Sequence, residues 1–238
     1  MLELKNITKS YGEKDVLKGV NLKVQKGEVV GFVGGNGAGK TTTLKIITGI
    51  LECDQGAVKI NGVSRSSDVE YKQQFFFIPD TINVFKNVSG YDWIVFLMNL
   101  YKVKEYEKLE NYIDRFNMQK SIKKPIGAFS YGMLHKMSLI AAFTINPPII
   151  ILDEPLNGLD PKAVLVFKEL LKEYTYSGGT VFFSTHLLDV AEKICHTVAL
   201  LKDGKIILHD QIRNIIGEKS LESFFMEAEI YERSLPIN

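Results

Sequence analysis

This sequence predicts an α/β fold with an antiparallel β portion at its start, a buried sheet behind it and a helical segment let into its middle. Three observations carry that prediction. Residues 2–33 alternate apolar and polar positions, as half-buried strands do. Short runs at Val29–Val33, 149–152 and 180–184, the second of them wholly apolar, have the length of buried strands. Between Pro79 and Pro125 the apolar residues instead recur at helical spacing.

In chain order, the opening β segment turns at Gln25, Lys26 and Gly27 and enters the first buried strand at Val29. A helix is expected from Lys40, with Leu44, Ile47 and Ile50 on one face, ending before acidic, glycine-containing turn material at 52–56. Gln73 and Gln74 are read as part of the strand that runs to Ile78. Helices follow at 91–101 and 105–118, the second with Tyr106, Leu109, Ile113 and Phe116 at helical spacing. The helix at 131–143 must stop by Asn146-Pro147-Pro148, because proline disfavours the helical conformation of the residue before it. The strand at 180–184 leads into a helix at 186–194. A hairpin turns at Asp203-Gly204 between 198–201 and 205–208, with short helices after it.

Composition limits the function. The 238 residues suit one elaborated domain, taken as 1–238, with 1–79 and 129–238 as the core and 80–128 as a helical subdomain. Apolar residues make up 45% and charged residues 24%, a globular balance. The net charge of +1, without a long basic run, gives no electrostatic reason for a nucleic-acid partner. Cys53 and Cys195 lack a metal-ligand spacing and suit a reducing compartment. The N-terminus lacks a signal-peptide profile, and no apolar run reaches the ~18 residues of a spanning helix, so a membrane role is expected to act through a partner.

Chemistry enters at Gly34-Gly35-Asn36-Gly37-Ala38-Gly39-Lys40-Thr41, a phosphate-binding loop between an expected strand and an expected helix. Its glycines let successive backbone N–H groups turn toward one centre, and the following helix N-terminus adds positive potential. Lys40 supplies a full charge to the terminal phosphates, Thr41 an oxygen to Mg²⁺, and Thr42 closes the loop. The fold is accordingly expected to be a P-loop NTPase core of the RecA-like kind. The run 149–152 ends in Asp153 and Glu154. Two carboxylates at the end of a buried strand are costly unless something neutralises them, and a bound Mg²⁺ does so. Asp153 is assigned to the metal, through water, and Glu154 to the general base that polarises the attacking water.

Taken in order, these residues resemble the ATP-binding subunits of ABC transporters over nearly the whole chain. The resemblance implies that Tyr11 stacks on adenine and that Phe129-Ser130-Tyr131-Gly132-Met133 is the family signature, usually Leu-Ser-Gly-Gly-Gln. Ser130 would cap its helix and, with Tyr131 and Gly132, face the γ-phosphate held by a second subunit. Asp160, in Asn157-Gly158-Leu159-Asp160, would tie the two sites together, and His186, after Ser184-Thr185, would contact the γ-phosphate. ATP and Mg²⁺ are the implied cofactors. A homodimer or paired ATPase subunit and an integral membrane permease are the implied partners, with the subunit on the cytoplasmic face of the membrane.

The chain departs from the family where Phe77-Ile78-Pro79 is followed by Asp80 rather than glutamine. An ionised aspartate can still bind the metal through water but cannot donate a hydrogen bond. In the signature, Phe129, Tyr131 and Met133 are unusual, and Met133 removes a capping-box partner for Ser130. The aromatic cluster Tyr91, Trp93, Phe96 and Tyr101 reads either as the helical insertion's own core or in part as a partner-facing surface. The Ser-Tyr-Gly-Met segment and Asp80 are similar to those of bacterial exporter subunits. A non-transport ABC ATPase, a nucleotide-dependent switch with little turnover and a P-loop kinase remain as alternatives.

Overall fold

The computed structural model describes residues 1–65, 68–215 and 220–223. The chain opens with β1 (Leu2–Tyr11), β2 (Lys14–Val24) and β3 (Val29–Val33), then α1 (Lys40–Ile47), β4 (Gln55–Ile60), β5 (Val63–Ser64), α2 (Val69–Lys72) and β6 (Phe75–Ile78). Helices α3 (Gly90–Leu100), α4 (Tyr106–Arg115) and α5 (Tyr131–Ile145) follow, then β7 (Ile149–Asp153), α6 (Pro161–Tyr176) and β8 (Thr180–Thr185). The last elements are α7 (Leu188–Ile194), β9 (Thr197–Lys202), β10 (Lys205–Gln211) and α8 (Ile212–Ile215).

Two sheets result. One is antiparallel, in the order β2-β1-β4-β5. The other runs β10-β9-β3-β8-β7-β6, parallel except for β10. The parallel strands are mostly apolar and buried at nearly every position because both faces are covered, and the period of two divides their side chains between two cores. Val30, Phe32, Ile149, Ile151 and Phe182 pack toward α1 and the antiparallel sheet. Val29, Ile150, Leu152, Val181 and Phe183 pack toward α3, α4, α5 and α6.

Several sequence expectations need correction. Ile50 is 63% exposed, because α1 ends at Ile47 and Gly49 turns the chain away. Gln73 and Gln74 precede β6: Gln73 closes α2, and the Gln74 amide donates back to the Glu70 carbonyl. Tyr106 is exposed at the start of α4, whereas Leu109, Ile113 and Phe116 are buried. The expected helix at 186–194 begins at Leu188. Strands β4 and β5 and helix α6 were not anticipated. The short helices expected after the hairpin are met by α8 and by helical residues 221–223, and residues 224–238 lie outside the described residues. The hairpin has positive φ at both Asp203 (46°) and Gly204 (79°), the twist of a type I′ turn.

Ile151 is fully buried at the centre of β7, whereas Leu165 on α6 is 62% exposed. Ile151→Ala is expected to cost about 3 kcal/mol through lost burial and a residual cavity, and Leu165→Ala less than about 0.5 kcal/mol, both read from urea denaturation midpoints.

Candidate active site

Strands β3, β6, β7 and β8 are parallel, so their carboxyl ends lie along one edge of the sheet. Register makes this edge level: Val33 pairs with Thr185, Asp153 with Ser184 and Ile78 with Leu152. The residues that leave this edge are the phosphate-binding loop, Asp80, Asp153 with Glu154, and His186. Clefts outside the carboxyl ends of parallel strands are where such sheets hold ligands. A cavity of about 480 Å³ lies here. Its floor is Gly35, Asn36, Gly37 and Gly39, and Lys40, Thr41 and Thr42 open the helix above it. Asp80, Asp153, Glu154, Asn157 and His186 complete its lining.

The loop closes on tight packing. Gly39 has φ 109°, and a Cβ there would come within 2.6 Å of the Leu17 side chain, so no other residue fits without displacement. Lys40 is 7% exposed, and its ammonium donates to the carbonyls of Gly34 (2.7 Å) and Gly35 (3.2 Å). Gly34 and Ala38 shape the loop from behind without lining the cavity.

Asp153 is 3% exposed. One carboxylate oxygen accepts from the Thr41 hydroxyl at 2.9 Å, the other from the Ser184 hydroxyl. Among the described residues no lysine, arginine or histidine lies within ion-pair distance of it, although Lys40 approaches Glu154 at 3.8 Å. Hard oxygens from Thr41 and Asp153 fit Mg²⁺, which is commonly held by one or two carboxylates together with substrate phosphates. No larger cluster of ligating side chains occurs among the described residues. Glu154 has φ 49°, a strained value outside glycine, and its N–H donates to the Ser184 carbonyl and hydroxyl oxygens. That turn aims the carboxylate at His186, whose Nδ1 lies 3.0 Å from Glu154 Oε1. The two residues assigned to catalysis are therefore in direct contact.

The remaining expected residues lie elsewhere. Tyr11 is 51% exposed at the end of β1 with the Lys9 ammonium 5.8 Å from its ring centre. It does not line the cavity, whose edge on that side is Lys14 and Val16. Sequence reasoning missed these two because nothing in their identity distinguishes them from other strand residues. Ser130 caps α5, accepting from the Met133 N–H at 3.3 Å. Asp160 caps α6 through the Ala163 N–H and pairs with Lys136 at 2.5 Å. The Lys136 ammonium, aided by the Ala163 N–H, holds the Asp160 carboxyl below the usual range. Ser130, Tyr131, Gly132 and Asp160 all lie outside the cavity of their own chain.

Tyr131 reaches back to the site. Its phenol donates to the Asp80 carbonyl (3.0 Å) and Oδ1 (3.1 Å). Burial, aided by the Asp80 carboxylate, pushes the phenol pKa up to about 12. His135 is 1% exposed with Nε2 3.2 Å from the same Asp80 carbonyl. A carbonyl only accepts, so Nε2 carries the proton. Asn157 and His135 were not anticipated, and the Asn-Gly-Leu-Asp segment was the signal that could have marked the former.

A second, apolar groove of about 390 Å³ lies between the end of β6 and α3, lined by Phe77, Pro79, Ile82, Trp93, Leu97 and Tyr101 among others. Tyr91, Trp93 and Tyr101 pack partly against the buried core, whereas Phe96 is 56% exposed. The aromatic cluster thus divides between core and surface.

Residues 17–157 match the family model of the ABC transporter. The lantibiotic transport ATP-binding protein SrtF of Streptococcus pyogenes is 30% identical over 233 residues, covering 98% of this chain and 99% of that protein. The solved structure of an ATP-binding subunit of an ABC transporter superposes with a TM-score of 0.91 at 31% identity, covering 96% of this chain and 99% of the other. The dimeric post-hydrolysis structure of the ATP-binding cassette MJ0796, bound to ADP and Pi, gives 0.79 at 27% identity, covering 90% and 99%. The loop, the strand-end carboxylates and His186 stand together in a fold shared over nearly its whole length, and the chain belongs to the ABC transporter family as one of its nucleotide-binding ATPase subunits.

Proposed function

We propose that this ATPase closes as a pair of subunits around Mg²⁺ and ATP and drives export through a separate membrane permease, from the cytoplasmic face of the membrane. The observation that carries the hydrolytic part is one cavity in which Lys40, the Thr41–Asp153 pair and the Glu154–His186 contact converge. In this reading Gly34, Gly35, Asn36, Gly37, Ala38, Gly39, Lys40, Thr41 and Thr42 cradle the phosphates, and Tyr11 takes the adenine. Thr41 and Asp153 hold the Mg²⁺, which supplies charge neutralisation to the phosphates when bound. Glu154 accepts a proton from water while His186 orients its carboxylate.

Pairing is supported by the location of Ser130, Tyr131, Gly132 and Asp160 outside their own chain's cavity, where a second copy could use them, and by the dimeric MJ0796 structure. Residues 80–128 serve as the helical subdomain, and the groove beside β6 and α3 offers an apolar seat for a permease segment. Among the described residues no helix is long and apolar enough to cross a membrane, which leaves the passage to the partner. Export is assigned on the exporter-like Ser-Tyr-Gly-Met segment and Asp80, together with the similarity to a lantibiotic transport protein.

Lys40→Ala removes the fixed positive charge of the loop and is expected to weaken ATP binding by at least about tenfold, about 1.4 kcal/mol, in calorimetric titration. An unchanged affinity overturns the phosphate role. Glu154→Gln keeps hydrogen-bonding capacity but loses basicity, so turnover is expected to fall by about 10²-fold or more with ATP binding retained. The same variant is expected to elute as a dimer with ATP and Mg²⁺ in size-exclusion chromatography; a monomer there counts against the shared-site pair. Asp80→Asn is expected to shift the Mg²⁺ dependence of turnover more than ATP affinity, and Asp80→Gln to keep or raise activity. Superimposable Mg²⁺ titrations of wild type and both variants sink the metal-sensing role of Asp80.

A further inference from the structure

Two of the chain's departures from its family's usual residues touch each other. Asp80 follows Pro79 at the end of β6, and Tyr131 is the first residue of α5, yet the Tyr131 phenol reaches both the carbonyl and the carboxylate of Asp80. We propose that Tyr131 is a positioning residue that, with Asn157, fixes the Asp80 carboxylate in the wall of the nucleotide cavity and so couples the start of α5 to turnover in its own subunit. The proposal rests on the reading of Asp80 as part of the nucleotide site.

Geometry supports it at each contact. Tyr131 and His135 lie one turn apart on α5 with ring centres 4.5 Å apart, and both engage the Asp80 carbonyl. That pins the backbone of a residue that sits outside regular structure. The Asn157 amide donates to Oδ1 at 3.2 Å, the same oxygen that Tyr131 uses. Among the described residues no donor to Oδ2 occurs, so that oxygen is the one left for a cavity ligand or water. The Tyr131 ring is itself held. Gly158 has φ 73°, and a Cβ there would lie 2.3 Å from Tyr131 Cδ1, so the ring rests directly on the backbone after Asn157. A Cβ on Gly132 would meet the Gly158 carbonyl at 2.4 Å, which seats the first turn of α5 on the same segment. The exits of β6 and β7 and the start of α5 therefore meet at one carboxylate. Displacing a polar group in a reactive cavity by about an ångström is enough to slow chemistry.

Tyr131→Phe keeps the ring on Gly158 and removes the hydroxyl. ATPase turnover of the full chain is expected to fall about tenfold, with KM for ATP within about twofold of wild type, because the phosphate-binding loop is untouched. In an Asp80→Ala background the same substitution is expected to change turnover by less than about twofold, since residues that act through one another are not additive. Melting of the nucleotide-free chain gives a readout independent of activity. Each single variant is expected to lower Tm by a few degrees, about 2–4 °C, and the double variant by less than the sum. Equal effects of Tyr131→Phe in both backgrounds, unchanged turnover in Tyr131→Phe, or additive melting shifts each overturn the positioning role. Asp80→Ala turning over ATP as fast as wild type, while Lys40→Ala does not, instead removes Asp80 from the site.

Discussion

The structure depends on a parallel sheet buried on both faces whose strands must all terminate along one edge. Strand β7 is apolar along 149–152 and ends in Asp153, a carboxylate only 3% exposed. Burying such a group is costly unless its oxygens are occupied, and here hydroxyls from Thr41 and Ser184 occupy them. Those two bonds link the helix after β3, the end of β7 and the end of β8. The phosphate-binding loop is thereby fastened to the strand ends that carry the acidic chemistry.

From that fastening the rest of the site follows. Once Asp153 is fixed, the chain must turn sharply to leave the sheet, and Glu154 takes a left-handed conformation to do so. The Ser184 backbone and hydroxyl hold the Glu154 N–H, and the carboxylate comes to rest between Lys40 and His186. The strain at Glu154 is offset by bonds from the neighbouring strand, so its position is set by sheet register rather than by its own preferences. A carboxylate beside an ammonium at 3.8 Å and an imidazole at 3.0 Å is held in one orientation by the two groups.

The helices of the middle segment are tied in by apolar packing rather than by charge. Helices α3 and α4 pack on α5, and Arg115 on α4 pairs with Glu169 and Glu173 on α6. These ion pairs are largely exposed on the acidic side, and such pairs contribute little to stability. The start of α5, by contrast, is joined to the cavity edge through Tyr131, His135 and Asp80, contacts with defined donors and acceptors. Cys195, whose thiol packs against Gly31, has its pKa raised by burial and takes no part in this chemistry.

Apolar runs, glycine spacing and strand-end carboxylates are local signals, so the buried strands, the glycine-rich loop and the placing of Asp153, Glu154 and His186 at strand ends were legible in the chain alone. Helix α6 was not anticipated although Asp160 and Pro161 mark its start, because only five of its 16 residues are buried and lysine and glutamate interrupt its apolar positions. Strands β4 and β5 were missed because their pairing with β1 and with each other is made across the chain and leaves only short local patterns. Ile50 and Gln74 were misplaced because a boundary shift of a few residues changes which side chains a core can receive. Which of the marked residues meet is set by the packing of whole elements. Parallel register brought Asp153 to Thr41 and Glu154 to His186, and the packing of α5 on Gly158 brought Tyr131 to Asp80. Contacts between residues tens of positions apart depend on how whole elements stack, and no local pattern in the chain encodes that distance.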